Sequence, residues 1–282
     1  MNILKIFKRY PVLAYFILTF VISWGGLLLA VGGPDQITLT TLKFNDLLPI
    51  VILAILAGPS ISGILLTVFA GGKKELSELK SSLTRKTNPK WYLSVLLGAP
   101  LAVGMIYFFL SLFSSKFIPG IFSADDKVSH LVMGLMTGVA AGFFEEIGWT
   151  GFAIPRLLKK NNVLKTGLIV GIIWAVWHIL PGLWLGYASG TIKNTISLIS
   201  YISDPFFFLV IYRILMVWVY NRTKSLLVAM VMHGSLTASA RIFTPLGIVG
   251  TQLLTFDFAW IIFMIVVTRF VVTRNLKYQA PA

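Results

Sequence analysis

Long apolar segments separated by short polar gaps make up almost the whole hydrophobic pattern of this chain. Most of these segments are close to the roughly 20 residues that an α-helix needs to cross a hydrocarbon core of about 30 Å. The pattern predicts eight membrane-spanning helices, at residues 11–30, 48–69, 91–113, 131–154, 166–185, 205–220, 225–240 and 253–272. The sixth and seventh are short, so we expect them to extend outward or to lie where the membrane is thin, the sixth beginning nearer Ser197.

The composition is that of an all-α polytopic membrane protein. Of the 282 residues, 57% are hydrophobic and only 12% are charged, and the mean hydropathy is +0.86. These values lie far outside the usual composition of soluble domains, and the apolar segments leave no stretch for a separate water-soluble core. We therefore expect a single transmembrane domain over residues 1–282. The first apolar segment is longer than the core of a signal peptide and is predicted to remain as a helix.

The net charge of +14 is distributed over the gaps between apolar segments and forms no single basic face. The lipid bilayer is therefore an expected partner, and nucleic acid is not. Eighteen of the 24 Lys and Arg residues fall on one side of the predicted helices and five on the other, with Arg213 inside the sixth helix. Because positively charged loops stay in the cytoplasm, both termini are predicted to be cytoplasmic in a multi-pass protein of the cell membrane.

Residues 71–92 form a basic gap that contains regularly spaced leucines. Leu76, Leu79 and Leu83 lie three and four residues apart among lysines. This spacing predicts an amphipathic helix at the membrane surface, with Trp91 at the level of the headgroups. A plain basic loop is the alternative.

Two of the predicted helices carry glycines at four-residue spacing. The fourth has Gly134, Gly138 and Gly142, and the fifth has Gly167 and Gly171. A smooth face of this kind lets helix backbones approach closely. The fourth helix is therefore expected to pack tightly against its neighbours.

The fourth helix also contains two adjacent carboxylates, Glu145 and Glu146, and an ionisable pair at such depth indicates a functional site. His178 lies in the fifth helix and His233 in the seventh, whereas His130 lies at a helix boundary. With a rise of about 1.5 Å per residue, Glu145, His178 and His233 lie about 16, 18 and 12 Å from the predicted cytoplasmic face. Their similar depth predicts one shared site.

The two glutamates point in directions about 100° apart around the helix, so we expect one to perform chemistry and the other to support it. Pro181 and Gly182 follow His178 closely. Because proline lacks an N–H group, they are expected to kink or end the fifth helix and to free backbone carbonyls near the site.

Glutamate and histidine beside a wet cavity can deprotonate water and stabilise an oxyanion, which are the requirements for hydrolysing an amide. Other protease chemistries fit less well, because the sequence has no HExxH zinc motif, no cysteine and no pair of separated aspartates within the predicted helices. A serine dyad of Ser235 and His233 is disfavoured, since residues two apart on a helix face different directions. Peptide hydrolysis within the membrane is therefore the leading hypothesis.

Three motifs carry a resemblance to a known family. The segment EEIGWTGFAIPRL, the WxxxH from Trp174 to His178 and the histidine at position 233 resemble the motifs of the CAAX prenyl protease and bacteriocin-processing (CPBP, or ABI) family. The resemblance implies an eight-helix intramembrane endopeptidase in which Glu145 activates the attacking water and His178 assists it. It also implies that the histidine at 233 contributes to the oxyanion site and that Glu146 supports the site.

Three positions depart from the family pattern. Thr150 stands where EExxxR has arginine, Trp174 where FxxxH has phenylalanine, and Thr237 where the last motif has asparagine. Trp174 is a mild aromatic exchange, and Thr237 keeps a hydroxyl that can donate a hydrogen bond. Thr150, however, removes a positive charge that could pair with Glu146. Arg156, ten residues after Glu146, is the alternative source of that charge.

The sequence therefore favours an intramembrane endopeptidase, with a CPBP-like core at about residues 128–242, that acts on a membrane-associated peptide or protein. Prenylated CAAX tails, bacteriocin leaders and other membrane-proximal peptides are all open as substrates. The alternatives are a non-catalytic CPBP-fold scaffold or immunity protein and, less well supported without inverted repeats, a proton-coupled transporter. The resemblance implies a metal-free mechanism without a cofactor; a divalent metal at Glu145, His178 and His233 is the alternative.

Overall fold

A computed structural model describes residues 9–39 and 43–273, with the backbone alone for Ala70, Val272 and Thr273. Within these ranges the chain is helical and contains no strand, which confirms the all-α fold class. We number the eight long helices α1 to α8: Pro11–Val31, Phe44–Leu83, Pro89–Ser111, Lys127–Gly148, Val163–Ala188, Thr195–Thr223, Leu226–Phe243 and Thr251–Thr268.

All eight positions carry a described helix that is long and apolar enough to cross a membrane, so the prediction of eight spans is confirmed. The cytoplasmic orientation of both termini stays a prediction. Four of the basic residues that support it lie outside the described residues: Lys5, Lys8, Arg274 and Lys277.

Helix α6 is longer than the hydrophobic pattern predicted. It begins at Thr195 and has 29 residues, because Asn194 and Ser197 form a capping box that satisfies the first backbone N–H groups. The expected earlier start is therefore confirmed. Helix α7 remains short, with 18 residues, and begins after Ser225, whose hydroxyl accepts from the N–H of Val228.

Helix α4 changes its winding directly after the two glutamates. A π-helical turn, Trp149–Ala153, leads into a short α-helix, Ile154–Leu158. Pro155 has no N–H group to offer the carbonyl of Gly151 one turn before it, which favours a wider turn at this point. Such π-turns often occur at functional sites.

Glycines set the closest helix contacts, as the sequence predicted. A β-carbon on Gly138 would overlap the carbonyl oxygen of Gly234, so α4 and α7 touch backbone to backbone. Gly167 brings α5 against α6, where a β-carbon would lie 2.6 Å from the Cα atom of Ile214. These contacts place the helix that carries both glutamates against α7.

The predicted amphipathic helix is the C-terminal part of α2, residues 73–83, and the basic-loop alternative is wrong. It follows a bend at Gly72, whose φ of 61° is a conformation that glycine adopts most readily. Leu79 is buried and packs with Leu226 and Met230, so the apolar face of this segment covers the end of α7.

Helix α5 continues through Pro181 to Ala188, so it does not end at the proline. The carbonyl of Trp177 lies one turn before Pro181 and has no helical N–H partner there. It instead accepts a hydrogen bond of 3.0 Å from Nε1 of Trp24 on α1. The expectation that the proline frees a carbonyl near the site is confirmed, and this carbonyl ties α1 to α5.

Candidate active site

Glu146 lies at the centre of a buried polar cluster. Its side chain is completely buried, and Nη1 of Arg213 on α6 donates to both carboxylate oxygens at 2.9 and 3.0 Å. Nδ1 of His233 on α7 lies 2.8 Å from Oε1, and the Thr150 hydroxyl donates to Oε2. A buried carboxylate needs such compensation, and Glu146 receives it from one cation, one imidazole and one hydroxyl.

Glu145 has a different and less crowded environment. Trp174 on α5 donates its indole Nε1–H to Oε2 of Glu145 at 2.9 Å. The described residues provide no hydrogen-bond donor to Oε1, which leaves this oxygen for a water molecule or a substrate group. The two adjacent glutamates therefore differ as expected, with Glu146 tied into the protein and Glu145 partly free.

Trp174 connects the two histidines. Its ring centroid lies 5.4 Å from that of His178 and 5.0 Å from that of His233. Nδ1 of His178 lies 2.8 Å from the carbonyl oxygen of Trp174, so Nδ1 carries the hydrogen and Nε2 is left for another partner. The structure thus brings Glu145, His178 and His233 around one indole ring, as their similar depth predicted.

Comparison with known proteins relates the segment that carries these residues to one family and one relative. The family described as "Type II CAAX prenyl endopeptidase Rce1-like" matches residues 127–239. Over this segment the chain is similar to that family. A relative named "CAAX prenyl protease 2", from Methanococcus maripaludis, is 31% identical over 86 residues, which is 30% of this chain and 28% of that protein. The match therefore spans less than a third of either chain.

The matched segment, residues 127–239, contains Arg213, which the sequence analysis did not assign to the site. The signal was present, because an arginine inside an apolar span is rare and usually has a partner in the protein interior. Arg156, the alternative source of positive charge, does not reach Glu146. It pairs with Glu75 on the amphipathic segment of α2 and contacts the ring of Phe152.

The remaining predicted residues of the matched segment have clear positions. Thr150 touches the site through its hydrogen bond to Glu146, whereas Thr237 is half-buried and makes no side-chain hydrogen bond to the described part of the chain. Ser235 donates to the carbonyl of Leu96 on α3 at 2.7 Å, which gives its hydroxyl a structural partner away from His233. The serine dyad is therefore not formed.

One statement of the sequence analysis is corrected by the extended α6. Asp204 lies inside this helix and Asp257 inside α8, which packs against α6, so the chain does carry aspartates on two membrane-spanning helices. Their carboxyl groups are close enough to affect each other electrostatically. Asp257 is completely buried, and neither of its oxygens has a hydrogen-bond partner among residues 9–39 and 43–273. Asp204 is nine positions before Arg213, or about 13 Å along the helix, so this pair is separate from the glutamate cluster.

The donor set of the candidate site does not fit a divalent metal. In the described residues, no group of three or more His, Cys, Asp or Glu side chains is arranged to hold a metal ion. Glu146 already has Arg213 as its cation, and Glu145 accepts an N–H group from Trp174. A metal ion would have to displace Arg213 from Glu146 or compete with the Trp174 N–H group for Glu145.

Proposed function

We propose that this protein is an intramembrane endopeptidase that hydrolyses peptide bonds of membrane-associated substrates with water activated by Glu145. The observation that carries this proposal is the arrangement of the two glutamates. Glu146 is held by Arg213 and His233, while Glu145 keeps one oxygen without a protein donor and lies beside the same tryptophan as both histidines. One carboxylate is therefore a support and the other is available as a base.

In the proposed reaction, Oε1 of Glu145 takes a proton from water while the water oxygen forms a bond to the carbonyl carbon of the substrate. The carbonyl oxygen becomes an oxyanion. When the carbon–nitrogen bond breaks, Glu145 returns the proton to the departing nitrogen. The products are a carboxylic acid and an amine, so no covalent enzyme intermediate is required.

The two histidines have separate roles in this proposal. The Nδ1 atoms of both are committed, that of His178 to the Trp174 carbonyl and that of His233 to Glu146. Both rings therefore face the reaction through Nε2. His178 accepts a hydrogen bond from the attacking water through Nε2. His233 acts in this proposal as an imidazolium, with Nδ1–H on Glu146 and Nε2–H donated to the oxyanion, and Thr237 one turn beyond it is a further donor.

The wider assignments belong to the same proposal. We place the protein as a multi-pass protein of the cell membrane, with a single transmembrane domain over 1–282 and both termini in the cytoplasm. A membrane-associated peptide or protein is the proposed substrate, and no metal or other cofactor takes part. Because the relative is named CAAX prenyl protease 2, a prenylated CAAX peptide, here in farnesylated form, is the first substrate to test.

The decisive experiment compares purified wild-type protein with Glu145→Gln in liposomes. The substrates are a farnesylated CAAX peptide and an unmodified hydrophobic peptide, and the products are identified by mass spectrometry. We expect Glu145→Gln to lower turnover by about 10²- to 10⁴-fold, the usual contribution of a general base. Glu78→Gln, on the exposed side of the amphipathic segment, is the control and should leave turnover unchanged.

Four results would argue against the proposal. Turnover that survives Glu145→Gln would remove Glu145 as the base, and turnover lost after treatment with a chelator would restore the metal-dependent alternative. A cellular function that is unaffected by Glu145→Gln, in protein without detectable turnover, would favour the non-catalytic scaffold or immunity protein. Proton-driven solute flux in the same liposomes would favour a transporter.

A further inference from the structure

Arg213 makes two contacts with different parts of the site. Its guanidinium is completely buried and donates through Nη1 to both oxygens of Glu146. The Cζ atom of the same group lies 3.8 Å from the centroid of the Trp174 ring. One side chain on α6 therefore contacts residues on both α4 and α5.

The contact with Glu146 supplies the positive charge that this buried carboxylate requires. A carboxylate without a counter-ion in a membrane-spanning helix is strongly unfavourable. Thr150 lies one turn beyond Glu146 and gives it only a neutral hydroxyl. The compensating charge therefore comes from α6, 67 positions further along the chain than Glu146.

The contact with Trp174 reaches the other glutamate. A guanidinium stacked on an indole restricts the plane of that ring through cation–π attraction. The indole N–H of Trp174 donates to Oε2 of Glu145 at 2.9 Å. A phenylalanine could stack in the same way but has no N–H to donate, so tryptophan is needed for this connection.

We propose that Arg213 is the positioning residue of this site: it is the counter-ion of Glu146, and by stacking on Trp174 it orients Glu145 for the attack of water. In this proposal Thr150, Trp174 and Arg213 act together. Thr150 and Arg213 both donate to Glu146, and Arg213 stacks on Trp174. The positive charge comes from Arg213 on α6. The guanidinium holds the Trp174 ring in place, and the N–H of that ring donates a hydrogen bond to Glu145, the proposed base. The catalytic part of this inference rests on the proposed function.

The test uses substitutions of Arg213 assayed with the farnesylated peptide in liposomes. Arg213→Met keeps an apolar chain of similar length but removes the charge and the stacking group. We expect it to lower kcat by about 30- to 100-fold with KM changed less than about threefold, since small misplacements of a catalytic group have effects of this size. Arg213→Lys keeps a positive charge but loses the planar group that stacks on Trp174. Its kcat should lie between those of the wild type and Arg213→Met. Arg222→Met, an exposed arginine on the same helix, is the matched control.

Moving the arginine from position 213 to position 150 tests the two roles of Arg213 separately. In the double variant Thr150→Arg with Arg213→Ala, the new cation reaches Glu146 from the π-helical turn Trp149–Ala153, one turn after Glu146, and no longer from α6. We expect it to recover most of the thermal stability lost in Arg213→Ala, because Glu146 regains a counter-ion. We expect it not to recover kcat, because no guanidinium then stacks on Trp174.

Two results would overturn the inference: a folded Arg213→Met with wild-type kcat, or, if that variant does not fold, a folded Arg213→Lys with wild-type kcat. Failure of the proposed function is recognised separately, as absence of turnover in the wild type. The counter-ion role is then tested by unfolding of Arg213→Met, Glu146→Gln and their double variant. We expect the two effects on the unfolding equilibrium constant to be non-additive by about tenfold or more. Additive effects would refute the pairing.

Discussion

Nη1 of Arg213 lies 2.9 Å from Oε1 of Glu146, and both side chains are completely buried although the two residues are 67 positions apart. Each side chain would be highly unfavourable in this environment without the other. The pair therefore makes two distant segments of sequence, the glutamate helix α4 and the long helix α6, depend on each other. Because Glu146 has this buried counter-ion and Glu145 does not, substitutions of the two glutamates should have different effects on stability.

Glu146→Gln should be far more damaging to the fold than Glu145→Gln. The first substitution leaves the Arg213 guanidinium buried beside a neutral amide, which costs about 3 to 5 kcal/mol for a buried pair. The second keeps an oxygen that can accept from Trp174 and should cost no more than about 1 kcal/mol. Reversible unfolding in detergent, followed by circular dichroism, measures both values. Equal stability of the two variants would contradict the division of roles between the glutamates.

Gly142→Ala should separate α4 from α7. The added β-carbon would overlap the carbonyl oxygen of Met230 and lie 2.9 Å from the backbone nitrogen of Gly234, so the backbone itself has to move. Overpacking of this kind costs about 1 to 3 kcal/mol, and the shift also displaces Glu145 one turn away. Thermal unfolding and peptidase turnover should both decrease.

Gly98→Ala on α3 is the matched control for this substitution. Outside the neighbouring backbone of its own helix, no atom of the described residues lies within 4 Å of the position that its β-carbon would take, so neither stability nor turnover should fall. A loss of the same size in both variants would show that the effect comes from replacing any helical glycine, and not from the contact between α4 and α7.

Leu79→Ala should loosen the amphipathic segment of α2. Leu79 is its buried anchor against Leu226 and Met230, and truncation of a buried leucine costs about 2 to 5 kcal/mol in a well-packed core. We expect faster hydrogen–deuterium exchange over residues 73–83, with the membrane-spanning part of α2 unchanged. Leu76→Ala, at a half-buried position, is the control and should have a smaller effect. Unchanged exchange in Leu79→Ala would show that other contacts hold the segment.

The ion pair between Arg156 and Glu75 should contribute less to the same attachment. Its two side chains are 16% and 31% exposed, and pairs that are open to water contribute about 0 to 1 kcal/mol. Glu75→Gln should therefore increase exchange in the segment less than Leu79→Ala does. Comparing the two exchange rates directly tests whether the leucine or the ion pair holds the segment on the protein.

Asp257→Asn should stabilise the protein. Asp257 is buried beside Asp204, and its oxygens have no hydrogen-bond donor in the described part of the chain. An asparagine has nearly the same shape, removes one of two neighbouring acids and can donate its amide to Asp204. We expect a gain of about 1 to 2 kcal/mol, the range for satisfying a buried polar group. Asp125→Asn, at an exposed position, should have no such effect, and a loss of stability in Asp257→Asn would assign the acid pair a structural role.

Much of the fold could be predicted because the membrane imposes it. A bilayer requires long apolar helices, so the number of spans can be counted from the hydrophobic pattern, and all eight are present. The capping box that starts α6 at Thr195 lies outside the apolar segment, and for this reason hydropathy placed the start too late and left Asp204 outside the helix. The glycine faces were equally readable, since spacing alone shows where backbones can approach.

The candidate site was predicted only in part. Depth along a helix follows from residue number, so Glu145, His178 and His233 could be placed in one layer of the membrane. Rotation about the helix axis and the identity of the neighbouring helix do not follow from hydropathy, which is averaged around the helix. For this reason Arg213 was left unassigned, and Trp174 was read as a mild exchange although its indole contacts both histidines and Glu145.

The sequence by itself therefore determined the membrane spans, the presence of costly ionisable residues within them and their common depth. Only the tertiary structure decided which cation compensates Glu146. That cation is Arg213 on α6, whereas Arg156, which is closer in sequence, pairs with Glu75. The physical reason is that the unfavourable free energy of burying a charged side chain depends on the residue type and its depth in the membrane, and both follow from the sequence. Its compensation depends on the packing of three helices, which close glycine contacts and side-chain shape set together.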